Sequence, residues 1–500
     1  MNESELREAF EQLQQAHTQL LQENDLLQRA HSQLLQDHAQ LQEVVGGLLE
    51  RVKQGEARAA KDSHKSSKPP SSNGFKEPVR KTQSLRGKSG KKRGGQPGHP
   101  GKTLLMVETP DQTIVLSPRQ CQRCQQDLAE APTQRLERFQ VVDLPRLALA
   151  VTEDQAQVKV CPCCQAETRA ALPEGMIPAS VQYGKEIKAL AVYLSIFQLL
   201  PVARVSQLLC DLFHTSFSQA SVLEACQNSA QRVTPVQEQI KAAFQHSQMM
   251  HHDETGFRVL KKRWWLHVAC PRAYTLYLAH PKRGDEALKA MNMLPGYQGI
   301  SVHDTLAMSL SYPCHHALCV AHYVRELTSA HEPFQQSWAE PMQRLLRSIH
   351  LHVELARRDG ASQIPEQDQH DYRQHYRHLV DIGLAANPPP TERTGKRGAI
   401  KKGEVLNLLL RLQHHEDLLL RFMTDVAVPF TNNQAEADLR MMKVRQKISG
   451  CFRTVEGSSI FCALRSYVST MQKQGSHLLT ALASTCTGTP LYPPLLRGTE

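Results

Sequence analysis

No apolar run of about eighteen residues, the length that spans a bilayer as a helix, occurs in this 500-residue sequence. The most apolar stretch, Ala189 to Leu200, is followed by Pro201 and Arg204. A secretory leader is missing as well: MNESELREAFEQ is acidic and Gln-rich, without a basic or an apolar region. Only 22% of residues are charged, while 40% are hydrophobic, close to ordinary globular usage, which excludes wholesale disorder. These absences read as a cytoplasmic protein without a membrane partner, long enough for about three or four folded units. The thirteen cysteines are an odd number and several stand in Cys-x-x-Cys spacing. In a reducing compartment that pattern favours metal binding over disulfides.

The net charge of +10 is unevenly spread. Residues 1–52 carry 9 acids and 3 bases, whereas residues 53–102 carry 14 bases and 3 acids. The basic stretch includes Lys91, Lys92 and Arg93 and is rich in Pro, Gly and Ser. It has too few apolar residues to offset the entropy of ordering. It reads as a flexible linker over 53–104, either a solvated tether or an arm that neutralises nucleic-acid phosphates without reading sequence.

Leucine recurs every seventh residue at Leu6, Leu13, Leu20, Leu27, Leu34, Leu41 and Leu48. That is a coiled-coil seam, and it predicts a leucine zipper over 1–52. With the leucines at d, the a positions are Phe10, His17, Asn24, His31, His38 and Val45. An Asn at a favours an in-register pair, so the chain is expected to be a homodimer or a higher assembly.

Cys121-x-x-Cys124 and Cys161-x-x-Cys164 have the spacing of two knuckles that close one tetrahedral shell. They predict a zinc-binding module over 105–175 holding one structural Zn²⁺, with short strands at Thr113 to Leu116, Phe139 to Leu144 and Ala156 to Val160. Over 180–235 the apolar period is helical, broken at Pro201 and at 213–221. Three helices of that size suit a helix-turn-helix-like DNA-binding region or a plain helical connector.

Between 247 and 330 the apolar period changes to two. It predicts three strands in a meander, a crossover helix, a fourth strand, a helix, and a fifth strand leading into a helix. This order suits a mixed sheet of the ribonuclease H-like kind, and the whole chain reads as multidomain α/β. Asp253 ends or interrupts the first strand, and Asp304 ends the fourth, just after the apolar run GISV. A carboxylate ending a buried strand needs a partner, and a divalent cation is one. Asn432 or Asn433 is placed to cap a helix carrying Glu436 in its first turns, with Arg440, Lys443 and Lys447 on the same face. Such a helix suits a metal at one end and a phosphate backbone along the rest.

The sequence resembles the transposases of the IS66 insertion-sequence group, of the Asp-Asp-Glu type. The resemblance rests on SSKPPSS at 66–72, GGQPGHPGKTL at 94–104, the paired cysteine knuckles, HDETG at 252–256, CVAHYVREL at 319–327 and PFTNNQAEADLRMMKVRQKISGCFR at 429–453. It implies a retroviral-integrase-type, ribonuclease H-like catalytic domain, formed by 245–331 and 426–475 around a helical insertion at 332–425, with a tail over 476–500. It also implies that Asp253, Asp304 and Glu436 bind two catalytic Mg²⁺ ions, and that His322 and Arg325 stand at the site. The expected activity is phosphodiester hydrolysis at element ends followed by strand transfer into target DNA. Small accessory proteins of the element would be partners, and the setting would be the bacterial cytoplasm and nucleoid. An inactive or domesticated DNA-binding protein and a nuclease that does not join remain alternatives, because Thr305, Leu306 and Ala307 follow Asp304 where the family shows Gly and an aromatic.

Overall fold

The computed structural model describes residues 104–494, apart from 146, 174–175, 177–178, 306–307 and 391–401, together with scattered positions between 28 and 46. The latter are helical. The rest of the expected zipper, and the linker with Lys91, Lys92 and Arg93, lie outside the described residues. Two compact units are distinguishable, one of Val79–Pro173 with Gln207–Phe217 and a larger one holding the remainder.

The small unit contains a two-stranded antiparallel ladder, β1 (Val158–Val160) and β2 (Glu167–Arg169). The strands expected at Thr113 to Leu116 and Phe139 to Leu144 do not form. Propensity makes a strand only where a partner supplies the ladder. Instead Gln140 uses its side-chain amide, accepting from Val107 N at 2.8 Å and donating to Val107 O at 2.7 Å.

Helices follow in the order α1 (Lys185–Val192), which runs into a π turn at Tyr193–Phe197, α2 (Val202–Phe213), α3 (Gln219–Arg232) and α4 (Thr234–Gln245). Pro201 stops the first run, and Ser218 starts α3 by accepting a hydrogen bond from Ser221 N at 3.0 Å. The sheet then builds from β3 (Met249–Val259), β4 (Lys262–Cys270), β5 (Leu276–His280), helix α5 (Asp285–Met291), β6 (Ile300–His303) and β7 (His315–Leu318). Its order is β5-β4-β3-β6-β7. The first three strands are antiparallel neighbours, β6 lies parallel to β3, and β7 parallel to β6. Where a helix was expected between the last two strands, the described residues form a 3-10 turn, Ser309–Ser311, before Pro313, which resists helix at the residue preceding it. Gly299 is required at the start of β6: a Cβ there would lie 2.6 Å from Gln248 O, the carbonyl that accepts from Ile300 N.

Helix α6 (Val320–His331) leaves β7 directly. The insertion is helical, comprising α7 (Ala339–Arg358), α8 (Glu366–Ala386), α9 (Glu404–His414), α10 (Glu416–Leu419) and α11 (Arg421–Thr424). It is no detached lobe, because Leu346, Tyr376 and Leu409 share one buried cluster with Val302, Leu318 and Tyr323 of β6, β7 and α6. Its cations are partly committed: Arg373 and Arg377 both pair with Glu416, at 2.9 and 2.8 Å. The chain closes with α12 (Asn433–Ser449), α13 (Val455–Lys473) and α14 (Leu478–Thr487). The segment expected as a tail therefore carries a helix, and α14 packs on α1 with Ala481 and Leu482 buried. Among the described residues no helix is long and apolar enough to cross a membrane.

Burial on this scaffold also traps histidines in the neutral form. Burial lowers His267, on β4, to about 4, and lowers His316, on β7, whose Nδ1 lies 3.1 Å from His303 Nε2. Below a pH of about 6.5 the unfolded chain takes up protons that these folded imidazoles refuse. Stability therefore falls as pH drops from about 6.5 towards about 4. Urea midpoints measured across that window should decline, less steeply in His267→Leu; an identical slope in that variant would refute the assignment.

Candidate active site

Three elements position the expected acids. Asp253 sits within β3, paired to Val268 of β4, and its Oδ1 accepts a hydrogen bond from Glu254 N at 2.7 Å. Asp304 follows the last residue of β6, the parallel neighbour of β3. Glu436 lies in the first turn of α12, which packs across β3 and β4. Burial first, and then the nearby Asp304 and Glu254 carboxylates, push Asp253 well above the usual range. Adjacent carboxylates in a low-dielectric site cannot all ionise without a cation.

His322 and Arg325, one turn apart on α6, tie Asp304 to Glu436. His322 Nδ1 lies 2.8 Å from Asp304 Oδ1. Arg325 Nη2 lies 2.9 Å from His322 Nε2 and 3.5 Å from Glu436 Oε1. The approach between His322 and Asp304 is an ion-pair contact without hydrogen-bond alignment, so Asp304 Oδ1 and His322 Nδ1 are both buried and lack a hydrogen bond. Burial lowers His322, but Asp304 and Cys319 outweigh it and raise the imidazole above its ordinary value. Arg325 opposes that, since a guanidinium only donates and requires a lone pair on Nε2. A cation on Asp304 would remove the pull towards imidazolium, and the orphaned carboxylate oxygen suits a divalent ion.

The closest set of metal-type ligands among the described residues is Asp304, Cys319 and His322, whose ligand atoms lie within 4.8 Å of one another. Among those residues the three acids do not form such a set, and neither do the four knuckle cysteines. Cys319 was not foreseen; the signal available was its Cys-x-x-His spacing to His322 across the start of a helix. Each cysteine knuckle is well formed by itself. In one, Cys121 O accepts from Gln125 N; in the other, Cys161 O accepts from Gln165 N, both at 2.9 Å. Gln125 and Gln165 have φ of 65° and 61°. Backbone amides of Cys124 and Arg123 lower the Cys121 thiol, and those of Cys164 and Cys163 lower that of Cys161.

Asn432 stands at the helix-capping position but makes no side-chain cap. Its fully buried amide instead faces His251 Nδ1, 2.9 Å from Oδ1, and donates to His252 O at 3.0 Å, while its backbone N–H points at Cys319 Sγ at 3.2 Å. It thus binds the start of the Glu436 helix to the strand of Asp253 and to the loop leading into α6. The basic row behaves unevenly: Arg440 and Lys447 are exposed, but Lys443 is half-buried and donates to Gly256 O at 3.1 Å. Thr305, in the unusual position after Asp304, lies with its hydroxyl 2.9 Å from that of Tyr323.

A half-buried carboxylate site on a mixed sheet, braced by a histidine and an arginine, defines an α/β protein with the ligand chemistry for divalent cations. The model of the transposase IS66 family matches residues 180–460, more than half of the chain, and the protein belongs to that family, which gives it a transposase role. A family of unknown function, DUF6444, matches residues 2–104. No curated protein matches the chain.

Proposed function

We propose that this transposase is of the Asp-Asp-Glu type: it hydrolyses a phosphodiester at each element end and transfers the freed 3′-hydroxyl into target DNA. The observation that carries this reading is the linkage of Asp304, beside the strand of Asp253, through His322 and Arg325 to Glu436. The strand order β5-β4-β3-β6-β7 supports a ribonuclease H-like domain. Asp253, Asp304 and Glu436 would hold Mg²⁺, which supplies charge neutralisation at the scissile phosphate and an activated oxygen nucleophile. His322 orients the Asp304 carboxylate, and Arg325 holds Glu436 while presenting positive charge near the phosphate.

The zipper would pair two chains, and with them two DNA ends. The knuckles would close on one Zn²⁺ when all four thiolates converge, and the helices over 180–235, the linker cations and the exposed members of the α12 row would contact DNA. The test is purified protein with labelled element-end DNA and Mg²⁺. Nicked and joined products are expected. Nicking without joining would reduce the protein to a nuclease, and binding without nicking to a DNA-binding protein.

A further inference from the structure

We propose that the outer end of the β3–β4 hairpin, with the sheet face beside it, is a docking platform for a DNA phosphodiester backbone; this deepens the transposase reading and rests on it. In the antiparallel register Arg258 faces Arg263, Gly256 faces Trp265, and Trp265 faces His280 of β5. Directly opposed residues share a face, so the two arginines, the indole and His280 lie on one surface. At the tip, Leu260 and Lys261 adopt positive φ of 50° and 63°, a turn that exposes Lys261 and Lys262. Four exposed cations thus fall within the six residues Arg258 to Arg263.

Beside the tip, the Arg263 and Arg283 guanidiniums lie 4.6 and 5.0 Å from the centre of the half-buried Trp265 ring. Stacking on an indole holds a guanidinium in place while leaving its edge N–H groups free to donate. The acid on this face, Glu254, is paired with Arg283 at 2.7 Å and is nearly covered, its side chain 8% exposed. The outward field therefore stays positive. Glu254 directly follows Asp253 but its side chain lies on the opposite face of the sheet, so the platform starts one residue from that acid along β3, on the other face, and runs away from it along β3 and β4. Exposed cations around a fixed aromatic suit a polyanionic strand. Phosphate binding of this kind fixes where the strand lies without reading its sequence.

The experiment compares the full chain with the variant Arg258→Gln, Lys261→Gln, Lys262→Gln, Arg263→Gln. Affinity for a duplex of arbitrary sequence is followed by fluorescence anisotropy between about 50 and 200 mM salt. Arg283 is left in place because Glu254 depends on it. The slope of log affinity against log salt should become shallower by roughly 2–4 units, about 0.9 for each phosphate that is no longer neutralised. Exchanging Arg258 and Arg263 for Lys should retain the wild-type slope. Removing Arg344, Arg347 and Arg358, exposed on α7, should leave it unchanged. A wild-type slope in the Gln variant, or an equal flattening in the α7 variant, overturns the platform alone. Failure of the wild-type chain to bind DNA overturns the transposase reading with it.

Discussion

Asp304→Ala should abolish nicking of element-end DNA while affinity for that DNA changes by less than about twofold, a fraction of a kcal/mol. The side chain sits at the end of β6 with a buried oxygen that lacks a hydrogen bond, beside Asp253, which burial first and then the Asp304 charge push well above the usual carboxylate range. Removing it takes away a ligand and relieves that repulsion, so Asp253 should return towards the ordinary carboxylate range. Two effects on folding oppose one another: Asp253 loses a repelling neighbour, while His322 loses the partner that favours its imidazolium and becomes neutral, so little net change in stability is expected. A lower rate at undiminished stability is the signature of a group kept for chemistry. Equal nicking by wild type and variant, or a variant that melts well below the wild type, would remove Asp304 from the proposed role.

Asn432→Ala should behave in the opposite way, lowering stability and activity together. Two buried groups lose their partner, His251 Nδ1 and His252 O, and each buried polar group left unsatisfied costs about 1–3 kcal/mol. The combined destabilisation is therefore roughly 2–6 kcal/mol, large against a typical stability of about 5–15 kcal/mol. A chemical denaturation midpoint measures it directly. Asn432→Asp preserves shape and the acceptor but loses the donor to His252 O, so it should fall between the two. A midpoint within experimental error of the wild type for Asn432→Ala would show that the amide does not hold the strands and the helix together.

The contrast between those two residues also explains what the sequence could disclose. Asp253 and Asp304 stood out as candidates because one interrupts and the other ends a period-two apolar run, and Glu436 because it opens a helix with a basic row behind it. Period two also located β3, β4 and β5. It misled at Thr113 to Leu116 and Phe139 to Leu144, since alternation records propensity and not the presence of a partner. Asn432 looked like a helix cap because its place before the helix allowed one. Its actual bonds go to residues about 180 positions earlier, a separation that no local pattern encodes. Lys443 looked like a free cation for the same reason, as helical spacing gives the face but not the strand carbonyl waiting on it. Cys319 carries no local signal beyond its three-residue spacing to His322, and only folding sets it beside Asp304.

The place of the insertion has a consequence for biosynthesis. Asp304 precedes α6 to α11 and Glu436 follows them, so a ribosome completes the sheet and these six described helices before Glu436 emerges. On the proposed assignment of Glu436, a nascent chain, or one terminated early within those helices, would bury much of its apolar surface and still be chemically inert towards chromosomal DNA. The proposed competence to cut would thereby be deferred until translation has almost finished.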